Sequence, residues 1–237
     1  MMKLIKLELR RNNLKPYLWG SLGIFIFALV LGILFIALPL IAPNDPTSKE
    51  MSDFTVLSPL ISIIVMCSCT ILGSVMNTKF IVEEYTGKKN LLLFTYPQKR
   101  SQILLAKYTF IFVFTFVVLI LSNMVALLLI ALIGNMTGLI TKPVGLDDTM
   151  NVLLLSIILG FIANSISTIS LRVGFFKKSI IWTLVTAIIL VAPLGNSVML
   201  ISNFSLPIFF VLGAILMVTC LILFIGLLKK VNKMEVE

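Results

Sequence analysis

Residues 179–228 read SIIWTLVTAIILVAPLGNSVMLISNFSLPIFFVLGAILMVTCLILFIGLL, fifty residues without a charged side chain. A membrane-spanning helix needs about 20 apolar residues, because each residue advances it by roughly 1.5 Å through the hydrocarbon. The stretch is therefore long enough for two spans. Residues that break or end helices interrupt it near its middle: Pro193, Gly195, Asn196, Asn203 and Pro207. We predict two helices, over 180–201 and 207–228, joined by a hairpin.

The rest of the chain holds four more charge-free intervals, each long enough for one span: 16–44, 54–78, 108–141 and 149–171. The apolar fraction of 59% and the mean hydropathy of +1.12 exceed what the core of a soluble domain requires. We therefore predict an all-α polytopic membrane protein, a single transmembrane domain over 1–237. Its six spans are expected at about 17–41, 56–78, 108–134, 150–171, 180–201 and 207–228.

The basic residues predict the orientation of these spans. Of the 19 Lys and Arg, all but Lys49 and Lys142 lie in four segments: 3–15, 79–107, 172–178 and 229–233. Cytoplasmic loops carry an excess of Lys and Arg, and six spans place all four segments on one side. We predict a bacterial plasma-membrane protein with both termini in the cytoplasm. Because the basic residues border helix ends, the net charge of +9 indicates lipid headgroups as partners, not nucleic acid.

The first fifteen residues, MMKLIKLELRRNNLK, place Lys3, Lys6 and Arg10 on one helical face and apolar residues on the other. This pattern is typical of a helix lying on the inner membrane surface. A basic flank that only anchors the first span fits the sequence equally well.

The chain lacks the residues that catalysis and ion coupling need. It has no His for a metal site, and no phosphate-binding GxxxxGK[ST] loop. The predicted spans contain no ionisable residue for a proton relay. Glu83 and Glu84 superficially resemble the glutamates of intramembrane peptidases, but those enzymes require His ligands or a His base. We expect no catalytic residue, no metal and no cofactor on this chain, which must then take its energy from a partner.

The longest polar segment, residues 79–107, reads KFIVEEYTGKKNLLLFTYPQKRSQILLAK. A connection between neighbouring helices needs only a few residues, so a segment of 29 residues has a fold or a function of its own. An acidic pair, a glycine, a leucine run, a proline and closing basic residues follow one another in it: Glu83, Glu84, Gly87, Leu91, Leu92, Leu93, Pro97, Lys99, Arg100 and Lys107.

This order resembles the signature region of permeases of type-2 ATP-binding-cassette exporters. The resemblance implies a six-helix permease that works as a dimer with two ATPase subunits, which bind ATP and Mg. Its short outer loops and its size are similar to permeases that export, or confer immunity to, antimicrobial and amphipathic peptides, including the phenol-soluble modulin exporter type of staphylococci.

In that family the segment holds a coupling helix that docks on the ATPase. The residues here that suit such docking are Glu83, Glu84, Gly87, Lys88, Leu91, Leu92, Phe94 and Pro97. The alternative is a helix on the membrane surface with solvated charges. Coupling is favoured, because an interfacial helix has no need of two Glu beside anionic lipid.

Two spans carry small or polar residues at helical spacing, so these residues must face protein or a cavity. They are Ser62, Met66, Cys69, Thr70, Gly73 and Asn77 in one span, and Ser156, Gly160, Asn164 and Thr168 in the other. Helix packing explains such stripes. A substrate path is the alternative, with Asn77, Asn164 and Thr168 as candidates.

The residues that interrupt the last apolar interval predict an outer gate at about 192–207, with Pro193, Asn196 and Pro207 as candidates. Proline cannot donate a backbone hydrogen bond, so broken backbone there must be buried or face water. An ordinary tight hairpin is the alternative.

The sequence thus favours an ATP-driven export permease for amphipathic peptides. The alternative is a non-transporting peptide-immunity or sensor subunit with the same spans.

Overall fold

The computed structural model describes residues 13–41, 46–86, 100–138, 144–177, 179–196 and 206–232. All regular structure in these ranges is helical, which confirms the all-α prediction. The elements are α1 (Lys15–Ile41), α2 (Pro46–Ser52), α3 (Phe54–Asn77), a π-helical turn (Thr78–Val82), α4 (Glu83–Thr86), α5 (Arg100–Thr137), α6 (Leu146–Lys177), α7 (Ile180–Asn196) and α8 (Leu206–Asn232). The predicted interfacial helix 1–15 lies outside the described residues except for its last three.

Within the described ranges, four helical stretches are long and apolar enough to cross a bilayer: Lys15–Ile41, Phe54–Val82, Ser101–Thr137 and Asp147–Lys177. Two apolar stretches are shorter, Ile180–Pro193 and Gly213–Leu228. Helices α5 and α6 continue beyond the predicted spans 108–134 and 150–171. Charged residues set those predicted limits, but Lys, Arg and Gln are good helix formers. A charge therefore ends the hydrocarbon crossing without ending the helix.

Helices α3 and α6 form the centre of the bundle. In their most apolar windows 56% and 67% of the residues are buried, against 17% in α1. Helix α6 contacts α3, α5, α7 and α8, while α3 contacts α1, α5, α6 and α7. Helix α1 lies at the periphery and exposes large apolar side chains such as Trp19 and Val30, as expected of a surface in contact with hydrocarbon.

Two apolar clusters hold the helices together, one toward each end of the bundle. Ile36, Leu57, Ile61, Leu127 and Ile130 belong to the cluster at the predicted outer half. The inner cluster, at the predicted cytoplasmic end, includes Met76, Ile81, Leu104, Leu171 and Phe175.

Gly174 allows α6 and α7 to approach closely where the chain reverses. A Cβ atom at position 174 would lie 2.8 Å from Thr183 Cβ and 3.3 Å from Thr183 Cα. The Gly174 carbonyl also accepts a hydrogen bond from the Ser179 backbone N–H at 3.2 Å. Because Thr183 is fully buried, neither helix can move aside without disturbing its other contacts.

We therefore predict that Gly174→Ala destabilises the bundle by about 1–3 kcal/mol, the usual effect of overpacking. The midpoint of thermal aggregation in detergent, followed by size-exclusion chromatography, should fall by several degrees. Gly23→Ala is the matched control, because a Cβ there meets no atom within 4 Å. Equal midpoints for the two variants would contradict the close approach of α6 and α7.

Candidate functional site

The two stripes of small and polar residues lie inside the bundle. Every member of both stripes is buried. Helix α5 adds buried polar side chains between them, and together they form what we call the polar seam: Ser62, Thr70, Ser74, Asn77, Thr115, Asn123, Ser156, Asn164, Ser167, Thr168 and Ser170. All the members of this seam are uncharged.

Asn123 ties three helices together in the outer half of the polar seam. Its Nδ2 donates to Ser62 Oγ at 2.9 Å and to Ser156 Oγ at 2.8 Å. Each serine uses its own hydrogen on a carbonyl one turn earlier, Ser58 O and Val152 O, both at 2.7 Å. Both hydroxyls can therefore only accept here, which fixes the orientation of the Asn123 amide.

Asn164 occupies the middle of the seam with both ends of its amide engaged. Thr115 Oγ1 lies 2.7 Å from Asn164 Oδ1, and Asn164 Nδ2 donates to the Gly160 carbonyl at 2.9 Å. Thr168 Oγ1 donates to the Asn164 carbonyl at 2.7 Å and lies 2.7 Å from the Tyr108 hydroxyl. In this closed arrangement these two predicted path residues bind their neighbours.

Asn77 differs from Asn164 because its amide oxygen is not used. Its Nδ2 donates to Ser167 Oγ at 2.7 Å and approaches the Ser167 carbonyl at 3.3 Å. A carbonyl only accepts, so the nitrogen must face Ser167. Among the described residues, the buried Oδ1 atoms of Asn77 and Asn123 have no hydrogen-bond donor.

At Asn77 the seam is closed, with little spare room. The Asn77 residue is 1% exposed. A Cβ atom at Gly73, one turn away, would lie 3.1 Å from Ser167 Oγ and from Thr115 Cγ2. Any cargo that reaches Asn77 therefore requires α3 and α6 to separate.

The predicted acidic pair, Glu83 and Glu84, is divided between the surface and the interior. Glu83 is partly exposed and pairs with the exposed Lys79 at 3.0 Å. Glu84 is 5% exposed and forms an ion pair with Lys107, which is 2% exposed. Removing one partner of a buried ion pair costs about 3–5 kcal/mol, because an unpaired charge is left behind.

The other predicted coupling residues lie outside the described part of the chain: Gly87, Lys88, Leu91, Leu92, Phe94 and Pro97. Of the outer-gate candidates, Pro193 is exposed near the end of α7 and Asn196 is its last residue. Pro207 is the second residue of α8. The connection 197–205 between them is not described.

A small apolar recess opens at the predicted outer end, between α3, α5 and α6. Its lining is Phe54, Met124, Leu127, Leu128, Ala131, Thr149 and Val152. Such a surface suits a hydrocarbon chain or an apolar side chain. Within the described ranges, no three His, Cys, Asp or Glu are placed to hold a metal ion.

Sequence reasoning missed Asn123 and Lys107. Asn123 is the one amide side chain in the predicted span 108–134, and a lone amide in hydrocarbon signals a partner on another helix. Lys107 directly precedes that span and was named only as a closing basic residue of the segment 79–107, with no partner predicted for it. Successive helical residues point about 100° apart, which explains how Glu83 faces outward while Glu84 faces Lys107.

Residues 4–196, well over half of the chain, match the profile of the ABC-2 family transporter proteins. The chain belongs to this family. Its members are membrane components of ATP-binding-cassette transporters and generally work with an ATPase partner. This ABC-2 protein is therefore a multi-pass membrane protein whose long apolar helices serve a transporter.

A similar protein is the uncharacterized protein YcbO of Bacillus subtilis, 29% identical over 122 residues. The alignment covers 52% of this ABC-2 chain and 52% of YcbO, so the chain spans about half the length of that relative. No solved structure matches.

We predict that Asn123→Ala destabilises this ABC-2 protein more than Ser68→Ala. Asn123 makes two hydrogen bonds to other helices, whereas Ser68 donates only within its own helix, to the Ile64 carbonyl. Hydrogen bonds between membrane helices contribute about 0.6 kcal/mol each on average, with a maximum of about 1.7. Unfolding in mixed micelles measures the difference, and equal losses would show that the three-helix bridge adds no stability.

Proposed function

We propose that this chain is the permease subunit of an ATP-driven exporter that moves amphipathic or antimicrobial peptides outward across the bacterial plasma membrane. Membership of the ABC-2 family carries the proposal. The polar seam supports a membrane path, because its buried polar groups are gathered on three helices instead of being scattered.

The proposed permease has six spans with both termini in the cytoplasm. Helices α7 and α8 then contribute the fifth and sixth spans, in addition to the four long stretches. The basic segments 79–107, 172–178 and 229–233 support this orientation, since six crossings place them together on the cytoplasmic side.

Two copies of the permease, or this chain with a related one, are proposed to assemble with ATPase subunits that bind ATP and Mg. The chain itself supplies no catalytic group in this assembly. The segment that contains Glu83 and Glu84 docks on the ATPase, and Glu83 is the acidic residue of the pair with exposed surface to offer. Nucleotide-driven closure of the ATPase pair is then passed to α3 and α5.

The polar seam supports amphipathic cargo with hydrogen-bond donors. Its two unused polar atoms, Asn77 Oδ1 and Asn123 Oδ1, are both acceptors, and peptide N–H and ammonium groups are donors. Apolar residues such as Met66 and Leu159 are buried in the same helices. When α3 and α6 separate, a cargo with one polar and one apolar face would find partners on both sides. Residues 192–207 form the outer gate in this proposal.

The experiment that tests the proposal co-expresses this chain with a candidate ATP-binding-cassette ATPase subunit from the same organism. The pair should co-purify, hydrolyse ATP, and accumulate a dye-labelled 18-residue leucine and lysine peptide in inside-out vesicles. The control is an ATPase whose phosphate-loop Lys is replaced, which should abolish uptake. Absence of co-purification refutes the coupled permease. Peptide binding without ATP-dependent uptake would instead support an immunity or sensor subunit.

We expect Asn77→Ala to raise the peptide concentration for half-maximal uptake by roughly threefold to tenfold, the effect of losing about one hydrogen bond. The physical reason is that Asn77 offers an unused acceptor on the proposed path. Ser68→Ala is the control, because its hydroxyl bonds only within α3. If uptake changes only in proportion to the amount of folded protein, Asn77 is a packing residue.

A further inference from the structure

The buried ion pair of Glu84 and Lys107 joins two helices at the predicted cytoplasmic end. Glu84 follows the π-helical turn that continues α3, and Lys107 lies in α5. Lys107 Nζ also approaches the Phe80 carbonyl oxygen, inside the π-helical turn, at 3.3 Å. The ammonium group therefore holds both a side chain and the backbone of the neighbouring helix.

Burial of this pair calls for an explanation beyond stability. Apolar residues of similar volume generally stabilise a buried site as well as an ion pair does. The inner cluster around it, which includes Met76, Ile81 and Leu104, is apolar and would accommodate them. A buried ion pair can instead serve to specify one arrangement of the helices that it joins.

The ion pair adds a charged contact between α3 and α5 to their apolar packing. Charged hydrogen bonds are roughly twice as strong as neutral ones, and Lys107 Nζ meets two acceptors on the neighbouring helix, the Glu84 carboxylate and the Phe80 carbonyl. Apolar contacts allow one helix to slide or rotate against another. The two acceptors resist such movement between α3 and α5 at this end.

The contact between α3 and α6 at the same end is of a different kind. It combines apolar packing in the inner cluster, where Met76 lies with Leu171 and Phe175, with neutral hydrogen bonds. Ser74 Oγ lies 3.1 Å from Ser170 Oγ, and Asn77 Nδ2 donates to Ser167 Oγ at 2.7 Å. Charge-assisted hydrogen bonds are roughly twice as strong as neutral ones. The polar contacts at this end therefore hold α3 more strongly to α5 than to α6.

We propose that Glu84 and Lys107 are positioning residues that lock α3 and α5 into one rigid unit, so that the ATPase moves both helices together against α6. This inference rests on the proposed function. It assigns to Glu84 a role inside the permease instead of a contact with the ATPase.

Three variants test the lock in the full chain assembled with its ATPase in nanodiscs. Glu84→Met with Lys107→Met replaces the ion pair by an apolar pair and keeps the protein folded. Glu84→Lys with Lys107→Glu restores the attraction between the two charges in reverse, without the hydrogen bond to the Phe80 carbonyl, because a carboxylate cannot donate one. Lys79→Met is the matched control, because it breaks the exposed ion pair one turn away. Both double variants should bind the ATPase as the unmodified chain does.

The readout is the distance between spin labels with and without trapped ADP–vanadate. Labels at Ile71→Cys, Val113→Cys and Phe176→Cys sit on exposed positions of α3, α5 and α6, with the three native cysteines replaced by Ala.

In the unmodified chain, the α3–α5 distance should stay constant while the α3–α6 distance shifts. The apolar double variant should lose at least half of the α3–α6 shift and gain a change between α3 and α5. The reversed pair should recover most of the α3–α6 shift that the apolar double variant loses, and Lys79→Met should behave as the unmodified chain does.

Two results overturn the lock. One is an apolar double variant that moves like the unmodified chain, which would make the ion pair merely structural. The other is an α3–α5 distance that changes in the unmodified chain. If the unmodified chain binds no ATPase, the proposed function fails first, and the two failures are distinguishable.

Discussion

The arrangement of this protein depends on the rule that polar groups in hydrocarbon need partners inside the protein. The amide nitrogen of Asn123 shows how the rule acts. It has two serine oxygens as acceptors, and those oxygens are available because each serine hydrogen is already used on its own helix. The single side chain thereby fixes the relative rotation of α3, α5 and α6. The apolar clusters at the two ends of the bundle then pack around these three hydrogen-bonded helices.

Association of helices in a membrane gains little from apolar burial, because lipid tails are as apolar as leucine. The free energy of helix association must therefore come from close packing at small residues and from hydrogen bonds across the seam. Gly174 against Thr183 is an example of the first, and Asn77 against Ser167 of the second. Both contacts form only when the two helices have a particular separation and rotation. They therefore favour a small number of discrete helix arrangements over continuous sliding of one helix along another.

Much of this architecture follows from periodicity. The spacing of Ser156, Gly160, Asn164 and Thr168 requires one face of a helix to be covered, and all four are buried. Periodicity does not say which helix covers that face, so the partner roles of Asn123 and Thr115 came only from the structure. Helices α5 and α6 extend beyond the predicted spans 108–134 and 150–171, because charge marks the membrane boundary and not the helix boundary. Glu84 shows a further limit of prediction from sequence. The sequence places this residue in a polar segment, and only the fold shows that it is buried against Lys107.

The amide oxygens of Asn77 and Asn123 have no hydrogen-bond donor in this arrangement of the helices. A buried acceptor without a donor costs about 1–3 kcal/mol, so the two Oδ1 atoms lower the stability of this arrangement of the helices. Asn77 and Asn123 are held by their nitrogens, so their oxygens cannot turn to find other partners. In the proposed exporter these atoms gain donors when the seam opens and cargo enters. The unpaired atoms then make the closed state less stable relative to the loaded open state, and part of the free energy for opening comes from the cargo itself.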